Sequence, residues 1–418
     1  MTIFETAALL VTLAAAFGFL NHLTLGLPNT VGLVVFSLAA SIVLVGTDAV
    51  VPQWGLLDTV RARVAELDFR AALMDGMLAF LLFAGALHVD LSRLRREART
   101  VLAMATLGLI LSTVIVGTGF WWLTGLPFVV ALVFGALISP TDPVAVLGLL
   151  KRYDVPESVE IKIAGEGLFN DGVAVVMFIA LTSIAFGDDG HGAGADAGSI
   201  ALLFVQETVG GAALGATAGW LVCRLMREVD AYALEVLMTL AIVMGCYALA
   251  HAFHLCGPLA VVVAGLFVGD QGFRHGMSGE TREHVQSFWH LVDEVLNAVL
   301  FLFIGVEVLR LPTAPDLLVG ALAAVPLVLL ARAAAVGAPV ALMRARRTFA
   351  RGAVPIMIWG GLRGGISVAL ALSLPEGPHK DAILVATYTV VVFSIVVQGL
   401  TMKHVVAAFG PQVAPRSD

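Results

Sequence analysis

The stretch from Ile161 to Phe178, IKIAGEGLFNDGVAVVMF, sets two carboxylates and a carboxamide, Glu166, Asp171 and Asn170, in a run that is otherwise nearly all apolar. Ionisable groups in apolar surroundings are costly, so they are read first as functional. Glu166 and Asn170 are four residues apart and share a face if the run is helical. Asp171 points about a third of a turn away, so the two carboxylates need not do one job. Only three further charges lie deep in apolar sequence: Asp142, Arg332 and Arg363. Arg332, in LLARAAAV, is assigned to Glu166 as a fixed structural ion pair. That leaves Asp171 unpaired. Desolvation disfavours the ionised form of an acid, so such a group holds either a proton or a small cation, and that competition is the chemistry of exchange.

The frame for these groups is a membrane. Of 418 residues 59% are hydrophobic and 13% charged, with a mean hydropathy of +0.96. Soluble domains are about 45–50% apolar and about 25% charged. A bilayer crossing takes roughly 20 apolar residues, and continuous apolar runs point to helices rather than a β-barrel. The chain is therefore expected to be an all-α polytopic membrane protein with about 13 transmembrane helices. The expected spans are 6–22, 29–46, 72–89, 99–123, 126–150, 158–187, 200–223, 232–252, 257–269, 288–309, 316–342, 354–374 and 381–402. With an outside N-terminus, most of the 24 Lys and Arg residues fall in cytoplasmic loops, among them Arg93, Arg95, Arg96, Arg99, Lys151, Arg152, Arg224, Arg227, Arg344, Arg346 and Arg347. The outer loops hold Arg61, Arg63, Arg70, Arg310 and Lys380. This asymmetry places the N-terminus outside and the C-terminus in the cytoplasm, with the chain multi-pass in the cell inner (plasma) membrane.

Two spans are interrupted. In span 5, Ser139-Pro140-Thr141-Asp142-Pro143 carries two prolines three residues apart, which remove backbone donors and unwind the helix. Asp142 there either caps the second half-helix or serves an ion site, and Thr141 offers hard oxygens. In span 12, Trp359-Gly360-Gly361-Leu362-Arg363-Gly364-Gly365 holds four glycines, each weakening a helix by about 1 kcal/mol. Paired interrupted helices are a sequence pointer to a transporter's midplane site.

Other features read as bland. The loop 187–198, GDDGHGAGADAG, carries Asp188, Asp189, His191 and Asp196 on a flexible outer segment. Cys223, Cys246 and Cys256 have no framework spacing, so no structural disulfide is expected. The N-terminal run lacks a basic region and cleavage site, and is read as a retained helix. HAFHLC, with His251, His254 and Cys256, lacks a second ligand pair for a metal.

Ser139-Pro140-Thr141-Asp142, EGLFND at 166–171, GLRGG at 361–365 and FWHLVDEVLNAVLFLFIGVE at 288–307 together resemble the monovalent cation/proton antiporters of the NhaP/NHE branch. The resemblance implies an inverted-repeat antiporter fold of 13 helices, with broken helices 5 and 12 crossing, and a homodimer. It implies dimerisation segments at 1–97 and 188–315, moving core segments at 98–187 and 316–409, and a cytoplasmic tail at 410–418. Asp171 would bind proton and cation, with Asn170 its neutral neighbour. Na⁺ would sit at Asp171, with Thr141 and Asp142 nearby. Glu166 would pair with Arg332, and Arg363 would balance the helix ends at the crossing. One departure stands out: Gly167 occupies a position where relatives commonly have Ser, so a hydroxyl ligand one turn from Asp171 is missing. The implied activity is secondary exchange of Na⁺ or Li⁺ for H⁺, electroneutral with Asn170 uncharged, and the alternative is K⁺/H⁺ exchange on the same site. A channel or sensor on the same fold and an intramembrane enzyme are the competing classes. No cofactor and no nucleic-acid partner are expected.

Overall fold

The computed structural model describes residues 3–65, 71–150, 155–187, 197–273, 276–312, 314–344, 349–350, 352–377 and 379–410. Among these residues the chain is helical, with no strand. The helices in order are α1 (Ile3–Thr24), α2 (Asn29–Val50), α3 (Leu56–Ala65), α4 (Ala72–Leu87), α5 (Leu91–Thr124), α6 (Phe128–Ile138), α7 (Pro143–Leu150) and α8 (Glu157–Phe186). They continue as α9 (Ala197–Met226), α10 (Tyr232–Ala252), α11 (Gly257–Gly272), α12 (Gly279–Glu307), α13 (Pro315–Met343), α14 (Ala353–Trp359), α15 (Gly365–Leu372) and α16 (Lys380–Phe409). Eight of the described helices are long and apolar enough to cross a bilayer, namely α1, α2, α5, α8, α9, α10, α13 and α16; α4, α6 and α11 are shorter apolar helices. The chain is thus a multi-pass membrane protein.

Prolines set several helix starts. Pro28, Pro127 and Pro156 stand immediately before α2, α6 and α8, each with an extended ψ. The ring fixes φ and keeps the entry to each helix out of the preceding turn. The interruptions also fall at the expected places. Span 5 is two half-helices, α6 and α7, parted at 139–142, and span 12 is α14 and α15, parted at 360–364.

Elsewhere the helices extend past the expected spans wherever polar turns carry the chain out of the apolar run. Span 4 was expected from 99, but α5 begins at Leu91. Asp90 caps it. Its carboxylate accepts from the Ser92 amide at 2.8 Å and from the Arg93 amide at 3.2 Å. The Ser92 hydroxyl is the main cause holding the exposed Asp90 carboxyl below its ordinary value. The charges at 93–99 ride on the wet side of this turn while Leu94 and Val101 are buried, so the segment boundary expected at 97/98 falls inside a continuous helix. Span 10 likewise starts at Gly279 rather than 288, with the Ser278 hydroxyl accepting from the Thr281 amide at 3.3 Å. The amphipathic α3 lies in what was expected to be a loop. The acidic stretch containing Asp188, Asp189, His191 and Asp196, the loop charges Arg70, Lys151, Arg152, Arg346 and Arg347, and the tail from 411 lie outside the described residues.

The helices pack as two groups. In one, α5 packs on α6 and α13, α8 on α6 and α7, α13 on α16, and α14 and α15 on α16. In the other, α11 packs on α4, α9 and α10, and α12 on α1, α2 and α4. The seam between the groups includes the contacts of α8 with α11 and of α15 with α12.

Candidate functional site

The two helix breaks meet. The Asp142 amide donates to the Leu362 carbonyl at 2.8 Å, so one break supplies an acceptor for a donor the other has freed. Four half-helix ends converge here, and each exposes unpaired backbone groups with a partial charge. Arg363 donates to the Ser139 carbonyl, and at 2.9 Å to the Pro140 carbonyl, at the C-terminal end of α6. Its own amide donates to Ser394 Oγ at 2.9 Å. Arg332 donates to the Met357 carbonyl at the end of α14, from Nε at 3.3 Å and Nη2 at 3.0 Å. Each negative half-helix end therefore faces a guanidinium.

At the positive ends stands Asp142. Its Oδ1 accepts from the Val144 amide at 2.9 Å, capping α7. Its Oδ2 lies against Gly364 at the start of α15, where a Cβ would stand 2.5 Å from that oxygen. Glycine is required here because a side chain would push the carboxylate away from the second helix end. The sequence left two roles open for Asp142, and the capping geometry is present in the structure.

Helix α8 crosses beside the breaks and carries the remaining polar groups. Arg332 meets Glu166 through both guanidinium ends, with Nη2 to Oε2 at 3.0 Å and Nη1 on Oε1. Both side chains are buried. Asn170 Nδ2 donates to Thr141 Oγ1 at 3.0 Å, joining α8 to the first break. A void of about 10 Å³, lined by Glu166, Asn170, Arg332, Arg363, Ser112 and Ser139, lies on this side. Asn170 Oδ1 and Arg363 Nε, both without a partner among the described residues, belong to the residues around it.

Asp171 stands apart. It is 5% exposed, and no hydrogen bond from a described residue reaches its carboxylate. Asp142 is its charged neighbour. Asp171, Thr141 and Asp142 line a cavity of about 60 Å³ at the seam of the two helix groups. That exceeds the roughly 10–15 Å³ a single water needs. Leu81 of α4, Asn297 of α12 and Ser367 of α15 complete its wall. The arrangement can hold a small dehydrated cation or a proton on an otherwise unmatched carboxylate, among hard oxygens.

Two wall residues were not singled out from sequence. Asn297 Nδ2 donates to the Asp293 carbonyl and to Asp293 Oδ1, both at 2.9 Å, which leaves its amide oxygen available. Its signal was present in VDEVLNAV, a carboxamide one helical turn after an acid in an apolar run. Ser367 gave no signal, because a lone serine in a transmembrane helix is ordinary. Gly167 is explained by packing. A Cβ at this position would come within 2.6–2.9 Å of the Pro143 ring, so the space a serine would occupy is filled by the proline of the break. His254 sits in a tight turn at φ 54° and the three cysteines are buried and free. Among the described residues no three His, Cys, Asp or Glu side chains gather as a metal site.

Comparisons with known proteins identify the family and the fold. The chain matches the family described as sodium/hydrogen exchanger, transmembrane, over residues 8–408. It is 41% identical over 412 residues to the Na(+)/H(+) antiporter NhaP of Pseudomonas aeruginosa, covering 96% of each chain. It is 35% identical over 379 residues to the Na(+)/H(+) antiporter NhaH of Halobacillus dabanensis, covering 88% of this chain and 91% of that one. Its fold matches the sodium proton antiporter MjNhaP1 of Methanocaldococcus jannaschii with a TM-score of 0.75 at 18% identity, covering 98% and 99% of the two chains. With its two broken helices meeting beside a polar α8, and with its sequence matched nearly end to end, this chain belongs to the transmembrane sodium/hydrogen exchanger family.

Proposed function

We propose that the protein is a secondary transporter exchanging Na⁺ or Li⁺ for H⁺ by competition of the two ions for Asp171. The observation that carries this reading is an asymmetry of partners. Glu166, Arg332, Asp142 and Arg363 are each matched to an opposite charge or a helix end. Asp171 is buried, accepts no hydrogen bond from the described residues, and faces a cavity. A buried carboxylate without a partner is stabilised by whatever cation arrives, and a proton and a metal ion cannot occupy it together. Thr141 and Asp142 line the same cavity and would share the cation, and Asn170 donates to the Thr141 hydroxyl. The relatives' names as Na(+)/H(+) antiporters support the same cargo.

The seam supports alternating access. The group of α5–α8 and α13–α16 carries the carboxylate, while α4 and α12 of the other group close the cavity. Movement of the first group past the second turns the site from one side of the membrane to the other. In this reading the second group, expected at 1–97 and 188–315, stays fixed and joins a second copy as a homodimer. The N-terminus lies outside and the C-terminus in the cytoplasm.

The test is ΔpH dissipation in proteoliposomes on adding Na⁺, Li⁺ or K⁺, wild type against Asp171→Asn. Cation-dependent dissipation in the wild type and none in Asp171→Asn is the expected result. Exchange that persists in the variant would move the carrier role to another carboxylate. K⁺ as the preferred ion would select K⁺/H⁺ exchange on the same carboxylate. Cation flux without proton counterflow would place the protein with channels. One cation per proton predicts a rate indifferent to a valinomycin-set membrane potential.

A further inference from the structure

The unmatched oxygens of the cavity carry one more assignment. Hydroxyls in membrane helices commonly return to a carbonyl one turn back. Here Thr124 donates to Phe120 at 2.7 Å, Ser139 to Gly135 at 2.7 Å, Thr387 to Ile383 at 2.7 Å and Thr389 to Val385 at 2.8 Å. Ser367 does not. It sits in the first turn of α15, is 1% exposed, and its hydroxyl has no hydrogen-bond partner among the described residues. An unpaired buried hydroxyl is destabilising, and each such group asks for a ligand. Ser367 lines the same cavity as Asp171, Thr141 and Asp142. It stands just beyond the break that carries Gly364, against which Asp142 rests.

We propose that the Ser367 hydroxyl is a direct ligand of the transported monovalent cation, completing from α15 an oxygen shell begun by Asp171 and Thr141. This rests on the reading of Asp171 as the carrier. The chemistry is that of hard oxygens replacing a hydration shell, in which the number and field strength of the oxygens set selectivity. No hydroxyl can come from position 167 instead, because a Cβ there would meet the Pro143 ring. Ser367 also belongs to the helix group that carries Asp171, so it stays with the cation as the site changes sides.

The experiment compares wild type, Ser367→Ala, Ser367→Cys and Ser367→Thr in proteoliposomes, reading the apparent KM for Na⁺ and Li⁺ and the pH profile at fixed Na⁺. Loss of one ligand oxygen raises the apparent KM for Na⁺ about tenfold, equivalent to about 1.4 kcal/mol of binding, and lowers the maximal rate far less. Because proton and cation compete, a tenfold weaker cation moves the pH profile at fixed Na⁺ about one unit to the alkaline side. Ser367→Cys is nearly isosteric but replaces the hard oxygen with soft sulfur, so it matches alanine, whereas Ser367→Thr keeps the hydroxyl and stays near wild type. Folded Ala and Cys variants with wild-type KM, Na⁺/Li⁺ ratio and pH profile overturn the assignment. Cysteine behaving as wild type while alanine loses affinity also overturns it, because packing then explains the effect. Asp171→Asn in the same assay separates the two levels. If it still exchanges, the carrier reading fails; if it is silent while the Ser367 variants behave as wild type, only Ser367 is dismissed.

Discussion

The Glu166–Arg332 pair should behave as a buried ion pair with a second client, and its mutant cycle follows from the geometry. Glu166→Met strands a guanidinium that still donates to the Met357 carbonyl. Breaking one side of a buried pair costs about 3–5 kcal/mol. Arg332→Met strands the carboxylate and also orphans the Met357 carbonyl at the end of α14, adding about 1–3 kcal/mol. The double variant removes both charges and leaves only that carbonyl unmet, a loss of about 1–3 kcal/mol. The order expected is therefore double variant above Glu166→Met above Arg332→Met, with strong coupling between the sites. For a chain of this length 1 kcal/mol corresponds to about 1 °C. The singles should lose several degrees, and the double should recover most of the loss. Thermal unfolding of the purified protein in one detergent, at one fixed scan rate, gives the comparison. A double variant that loses as much as the two singles summed would refute the pairing.

Three further outcomes follow from the same contacts. Gly167→Ser should lower folding yield and exchange rather than sharpen Na⁺ preference, because its Cβ meets the Pro143 ring; expression yield and the Na⁺ KM check this. Asp142→Asn keeps a side-chain oxygen for the Val144 amide but removes the charge between two helix N-termini. A thermal loss of about 1–2 kcal/mol is expected while proton and cation still compete; the Na⁺ KM measured at two pH values shows whether competition survives. Asp90→Ala should destabilise the start of α5 by about 1 kcal/mol at neutral pH. The Asp90 carboxyl is held low in the folded protein, so this contribution is present above its unfolded value near about 4 and is lost as pH falls through its folded value. The difference between variant and wild type should vanish in acid.

What the sequence revealed depended on how far each signal could be read without partners. The breaks at 139–142 and 360–364 were legible because proline and glycine act locally on the backbone. Glu166, Asp171 and Arg332 stood out because a charge in an apolar run has few physical excuses. Helix starts at Leu91 and Gly279 were hidden because their first turns are amphipathic, and polar residues on one face look like loop. Ser367 and Asn297 were hidden for a different reason. A serine or asparagine in a helix is ordinary until its usual backbone partner is seen to be missing or its amide is seen to be pinned elsewhere. The packing reason for Gly167 was hidden in the same way: it lies in the Pro143 ring across the contact, 24 residues earlier in the chain.

In the proposed reading, with Asp171 as the carrier, charge balance at the crossing links these groups to obligatory exchange. Glu166 and Arg332 pair with each other, and Asp142 and Arg363 are each held at helix ends, giving two negative and two positive side chains in fixed contacts. Asp171 adds one negative charge with no matching side chain among the described residues. The group of helices that carries the site is therefore neutral at its centre when Asp171 holds one proton or one monovalent cation, and charged when it holds neither. Moving a lone buried charge past an apolar seam is costly, whereas the two loaded forms carry no such penalty. On the proposed mechanism a return step without cargo is disfavoured by the desolvation of an empty Asp171, and the ion that re-neutralises it on the far side is the one that permits the return. On this argument coupling needs no gate beyond the empty carboxylate itself, and it depends on Asn170 remaining uncharged beside it.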